Sequence, residues 1–264
     1  MADTICQGQG SHACDILLKQ IIPAAGVLTS IAIFTSPMIH VLAVRKSQKL
    51  GALNPLPYPL MAGNCLGWAL YGYIARDYYV MIPNLFGWSL STFYLMSALP
   101  HMPRKRQDHM MGMYIGSQAL LLLSGLVAFI TLGGSSDGSG TAKTLMGCVT
   151  TVILVLFYLA PLSTLMHIIQ TKDSSSVSIP LAVTSLVNGL LWGLYGLALA
   201  DYFVACPNLF GFLTGCLQAV LKIVMPHDGH RASVSLHDNG RLEIQAGDFD
   251  AGASDDEDEE NGVA

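Results

Sequence analysis

The chain contains one stretch twice. Residues 64–87 read NCLGWALYGYIARDYYVMIPNLFG, and residues 188–211 read NGLLWGLYGLALADYFVACPNLFG. The two align without a gap at an offset of 124, with 14 of the 24 positions identical. The matched pairs include Asn64/Asn188, Trp68/Trp192, Tyr71/Tyr195, Gly72/Gly196, Asp77/Asp201, Pro83/Pro207 and Asn84/Asn208, and the same offset carries Pro37 onto Pro161. Self-similarity of this length means two copies of one structural unit, which restricts the fold before any other argument is made.

The medium around that unit follows from charge. Charged residues are 12% of the chain, about half the ~25% of soluble proteins, and mean hydropathy is +0.49. Charge is also unevenly placed: the net is +4 through His227 and −9 from Asp228 onward. A basic membrane body thus carries an acidic tail that ends in DDEDEE. The six cysteines show neither CxxC nor a Cys/His cluster, so no metal, cofactor or redox pair is expected. Cys6 and Cys14 both fall in the outer N-terminal segment, where a disulfide is open to them. Residues 1–18 lack an apolar core, so no cleaved signal is expected, and the first apolar segment should direct insertion.

A membrane-crossing helix needs ~20 mostly apolar residues. Seven such segments are read at 20–44, 57–75, 80–99, 110–132, 144–169, 179–199 and 204–225. A unit of three helices repeated directly would arrive inverted, and the fourth segment restores its direction. The expected architecture is all-α, with seven transmembrane helices in two parallel three-helix repeats joined by a linker helix (3+1+3). The parts are an outer segment 1–19, a first repeat 20–100, a loop-and-linker region 101–142, a second repeat 143–225 and a tail 226–264 too polar to fold alone. Lys and Arg set the orientation. Arg45, Lys46, Lys49, Arg104, Lys105, Arg106, Lys172, Lys222, Arg231 and Arg241 lie on one side, and only Lys19, Arg76 and Lys143 on the other. The N-terminus is therefore expected outside and the C-terminus in the cytosol.

Repeat-built transporters hold substrate near the bilayer midplane between the repeats. Asn84 and Asn208, each after a proline in a PNLFG string, offer amides suited to a neutral, hydroxyl-rich ligand. A bond to a neighbouring helix is the plainer role for one such Asn, but two at equivalent places favour a site. Trp68 and Trp192 present faces that pack on sugar C–H groups and N–H groups that donate, where a lipid-interface anchor would be the alternative. Trp88 lacks a Trp counterpart and is assigned to packing. Pro37, Pro57, Pro161 and Pro180 are read as hinges inside spans, with Pro55 and Pro59 as alternatives to Pro57 in NPLPYP. Tyr71, Tyr195, Asp77 and Asp201 lie at outer helix ends, where hydrogen bonding between them would close a gate; an interfacial Tyr and a solvated loop Asp are the competing roles. No Asp or Glu lies mid-span, which favours uncoupled movement over proton or sodium coupling. Paired carboxylates, HExxH and GxSxG are all missing, so an enzyme is not expected.

These motifs (PYP, NCLGW-x-x-YG, NGLLW-x-x-YG and the twin PNLFG) resemble the SWEET family of eukaryotic sugar transporters over about 20–225. The resemblance implies a bidirectional facilitative uniporter working by alternating access, and homo-oligomers in the lipid bilayer. It implies that Asn84, Asn208 and Trp192 bind substrate, that the four prolines bend helices, and that Tyr71 and Asp201 close the extracellular gate. Trp68 stands where many plant members have a small residue, so hexoses such as glucose are expected ahead of sucrose. The plasma membrane is expected, with an internal membrane as the alternative, and no nucleic acid is involved. Three rivals are weaker. A seven-helix receptor would show no repeat. A PQ-loop proton-coupled amino-acid carrier needs Pro-Gln, but Pro37 precedes Met and Pro161 precedes Leu. A scaffold would need no solute. The charge asymmetry predicts that an epitope tag before residue 10 will be stained on intact cells and one after residue 250 only after permeabilisation; the reverse pattern would overturn the orientation.

Overall fold

The computed structural model describes residues 11–51, 53–132, 138–171, 179–224, 233–236 and 242–245. Lys172, Cys6 and the DDEDEE run fall outside these residues. The chain divides into two compact units, Met1–Pro226 and His227–Ala264. The first is a bundle of α1 (His12–Ser47), α2 (Pro57–Ala75), α3 (Tyr78–Ala98), α4 (Arg104–Val127), α5 (Gly138–Thr171), α6 (Ile179–Ala198) and α7 (Tyr202–Val224). By length and mean hydropathy alone, α1, α6, α7 and a span of Arg104–Ile130 that includes α4 can cross a membrane.

The packing repeats with the sequence. Within each copy the third helix packs against both others: α3 on α1 and α2, and α7 on α5 and α6. Between copies, α1 packs on α6 and α5 on α2, and the linker α4 lies against α2 and α5. Glycines make the closest crossings possible. A Cβ on Gly72 would lie 2.8 Å from the Met81 nitrogen, and one on its counterpart Gly196 would lie 2.5 Å from the Ala205 nitrogen. Each glycine thus lets the second helix of a repeat cross the backbone of the third. Trp88, assigned to packing, donates its Nε1–H to Gln118 Oε1 on α4 at 2.9 Å.

The prolines are placed differently from the expectation. Pro57 and Pro180 lie in the first turns of α2 and α6, where no backbone N–H is needed and the fixed φ favours the helix. They free no mid-helix carbonyl. Pro83 and Pro207, which were not read as hinges, stand inside α3 and α7. Pro37 does break α1, between Ile22–Thr35 and Met38–Ser47. Carbonyls at that break find new donors, as they must in lipid: the Ser36 hydroxyl donates to Ile33 O at 2.9 Å, and the Tyr94 hydroxyl to Phe34 O at 2.8 Å. Position 161 lies within α5, and its side chain is outside the described set.

Cys14 is disulfide-bonded. In the second unit, β1 (Ser233–Leu236) pairs antiparallel with β2 (Leu242–Gln245), where the sequence leads one to expect no structure. The register pairs Val234 with Ile244 and Leu236 with Leu242. The glycine crossings carry a prediction. Gly72→Val and Gly196→Val should each abolish folded surface protein, whereas Gly112→Val, with nothing within 4 Å of its added Cβ, should retain it; surface biotinylation with size-exclusion profiles measures this.

Candidate functional site

The site begins at two helix starts. Asp77 has extended backbone and caps α3, its Oδ1 accepting from the Val80 N–H at 3.2 Å. Asp201 caps α7 in the same way, with the Val204 N–H at 3.3 Å. Such caps satisfy otherwise unpaired N–H groups. The residues before them, Arg76 and Ala200, have φ of 56° and 53°, so one strained turn is built twice.

Each aspartate also reaches across to the other repeat. The Tyr71 hydroxyl donates to Asp201, lying 2.7 Å from Oδ1 and 2.8 Å from Oδ2. The Tyr195 hydroxyl donates to Asp77 Oδ2 at 2.9 Å. Tyr71 is wholly buried and Asp201 is 7% exposed. Burial pushes the Asp77 carboxyl above its ordinary range, against the pull of the Val80 N–H and the Tyr195 hydroxyl. Beneath each tyrosine sits a tryptophan in edge contact: Trp68–Tyr71 centroids are 5.5 Å apart and Trp192–Tyr195 5.8 Å. All four expected gate residues therefore meet, and they meet crosswise between repeats. A core of Trp68, Tyr71, Val80, Trp192, Tyr195 and Val204 closes this end of the bundle.

Below that seal lies a cavity of about 500 Å³ whose walls include Asn84, Asn208, Trp68 and Trp192. This volume is typical of small-ligand sites, ~300–1,000 Å³. The cavity runs from Val80 and Val204, next to the gate, to Pro37, Leu181 and Gln218 toward the other end. Asn84 donates Nδ2–H to Val80 O at 2.8 Å, and Asn208 does the same to Val204 O at 2.8 Å. Each amide is thereby held with its carbonyl oxygen as the remaining acceptor, which suits hydroxyl donors.

Sequence reasoning missed a second asparagine pair on the same wall, Asn64 and Asn188. Their signal was present, since they open the matched stretch. They are held differently. Asn188 Oδ1 accepts from the Thr29 and Ser30 hydroxyls, each at 2.8 Å. Trp192 Nε1–H donates to Ser30 Oγ at 3.0 Å. At the offset from Thr29 and Ser30 the second repeat has Ile153 and Leu154. Asn64 Oδ1 is accordingly buried with no hydrogen-bond partner, one of two such atoms among the described residues.

Comparison with known proteins agrees with this picture. A family model described as "Sugar efflux transporter for intercellular exchange" matches residues 20–106 and 144–230, once for each repeat. Sugar transporter SWEET1 of Rattus norvegicus is 29% identical over 77% of this chain and 89% of its own length. Bidirectional sugar transporter SWEET11 of Arabidopsis thaliana is 27% identical over 78% of this chain and 72% of its own. The solved structure of a eukaryotic SWEET transporter superposes with a TM-score of 0.70 at 21% identity, covering 78% of this chain and 95% of that one. That family consists of transporters rather than enzymes. Repeat, fold and two separate family matches lead to one conclusion: the chain belongs to the SWEET family.

Proposed function

We propose that this protein is a bidirectional sugar uniporter that works by alternating access, with hexoses preferred. The observation that carries the reading is the cavity lined by two copies each of Asn and Trp, lying directly under crossed Tyr–Asp pairs. Its relatives are named as sugar transporters, and two from Arabidopsis thaliana as bidirectional ones. With the N-terminus outside, the Tyr–Asp pairs are the extracellular gate of this reading, and the cavity beneath them is the sugar site that opens toward the cytosol. Asn84 and Asn208 accept sugar hydroxyls through their carbonyl oxygens. Trp68 and Trp192 bracket the ring from opposite repeats. Cavity volume by itself does not separate a hexose from a disaccharide, but the Trp68 indole on the wall takes space that a small residue would leave open, which favours a single ring. No mid-span carboxylate is available to carry a proton, so flux follows the sugar gradient.

Asn64 extends the site. Its side chain lines the same cavity as those of Asn84 and Asn208 and adds a further amide to the wall.

Uptake of labelled glucose and sucrose in transport-deficient cells, at two external pH values, tests the proposal. Wild type should take up glucose equally at both pH values, and Asn84→Ala and Asn208→Ala should fall more than tenfold at equal surface expression. Trp68→Ser should gain sucrose uptake. Surface-expressed wild type with no sugar flux, or flux unchanged in both Asn variants, would overturn the reading in favour of an amino-acid carrier or a scaffold. Asn64→Leu separates binding from folding: its Tm in detergent should hold or rise, while the KM for glucose should increase several-fold.

A further inference from the structure

The two halves of the gate are not equivalent. In the Tyr195–Asp77 half, the aspartate is held by the backbone N–H groups of Val80 and Tyr79, Oδ2 accepts from the Tyr195 hydroxyl at 2.9 Å, and no cation among the described residues joins it. In the other half, Asp201 is held at both oxygens. Val204 N–H reaches Oδ1 at 3.3 Å, and Lys143 Nζ lies 2.6 Å from Oδ2. The Tyr71 hydroxyl then sits square to the carboxylate, 2.7 and 2.8 Å from its oxygens.

The offset explains why only one half has a cation. Lys143 is the counterpart of Lys19. Lys19 is drawn away by Asp15, 2.9 Å off and one turn earlier in its own helix. The counterpart of Asp15 is Ser139, so Lys143 has no acid one turn back. It turns to Asp201 instead, with its side chain 37% exposed against 7% for the aspartate. The same ammonium lies 5.6 Å from the centre of the Tyr71 ring, within cation–π range. Among the described residues the ion pairs are Lys19–Asp15 and Lys143–Asp201, and none reaches Asp77.

We propose that Lys143 is the positioning residue of the gate: it fixes the Asp201 carboxylate square to Tyr71 and makes the Tyr71 half the stronger of the two closures. Lys143 and Asp201 both belong to the second repeat, so their pair survives when the repeats part. It therefore acts as a fixed post onto which Tyr71 of the first repeat docks, with the cation–π contact as a further link across the seam. A charge-assisted bond holds geometry better than a neutral one. Without Lys143, Asp201 would lack a cation beside it, as Asp77 does.

This inference rests on the proposed gate, and the test separates the two. Leu154→Cys, on the cavity wall, is placed in a protein whose Cys148, Cys206 and Cys216 are serine, and a membrane-impermeant thiol reagent is applied from outside. Tyr71→Phe should speed labelling several-fold; no change there would overturn the gate itself. Lys143→Gln and Lys143→Met should each speed labelling several-fold and lower the outside KM for glucose, whereas Lys143→Arg and Lys19→Gln should match the parent. Faster labelling in Tyr71→Phe with parental rates in both uncharged Lys143 variants would overturn the role of Lys143 alone. So would Lys19→Gln labelling as fast as Lys143→Gln.

Discussion

Everything about the closed end of the bundle depends on an aspartate that answers two demands at once. As the first residue of a helix it caps backbone N–H groups; as a gate residue it accepts from a tyrosine of the other repeat. The two roles use different lone pairs, so neither is given up for the other. Because the cap fixes the carboxylate against the start of α3 or α7, the tyrosine has a rigid target. A charged group at a membrane boundary persists only where it is hydrogen-bonded. Closure satisfies it, and the buried Trp–Tyr layer beneath keeps water from competing.

Below the gate, symmetry holds for the backbone and fails for the side chains. Gly72 and Gly196 serve one crossing, and Arg76 and Ala200 one turn. Yet Asn188 and Trp192 are locked by α1 hydroxyls, while Asn64 is left with an unmet oxygen. Under the proposed function this difference matters, because a sugar has no two-fold axis and a perfectly symmetric cavity would match it poorly. The division traces to two positions, Ser30 against Leu154 and Thr29 against Ile153.

Prolines illustrate how local rules are overruled by position. Four were read as hinges because proline inside a helix removes a hydrogen bond. Pro57 and Pro180 prove to stand in first turns, where nothing is removed. Pro37 does interrupt its helix, and Ser36 and Tyr94 supply donors at the break. At that break the requirement that carbonyls in lipid be paired is met by two different side chains.

The sequence by itself determined the repeat, the all-α class, the seven segments and the parity argument for a linker helix, because hydrophobic length and self-similarity are one-dimensional properties. It also named the four residues of the crossed Tyr–Asp pairs and four residues of the cavity wall, since each is written twice. Equivalence at a fixed offset does not say which copy faces which. That Tyr71 meets Asp201 rather than Asp77 was decided by the packing of α1 on α6 and α5 on α2. The fates of Asn64, Asn188, Lys19 and Lys143 were likewise decided in three dimensions. A hydrogen bond forms with whatever a neighbouring helix presents at 3 Å, and for Asn188 and Tyr71 that neighbour lies more than a hundred residues away along the chain.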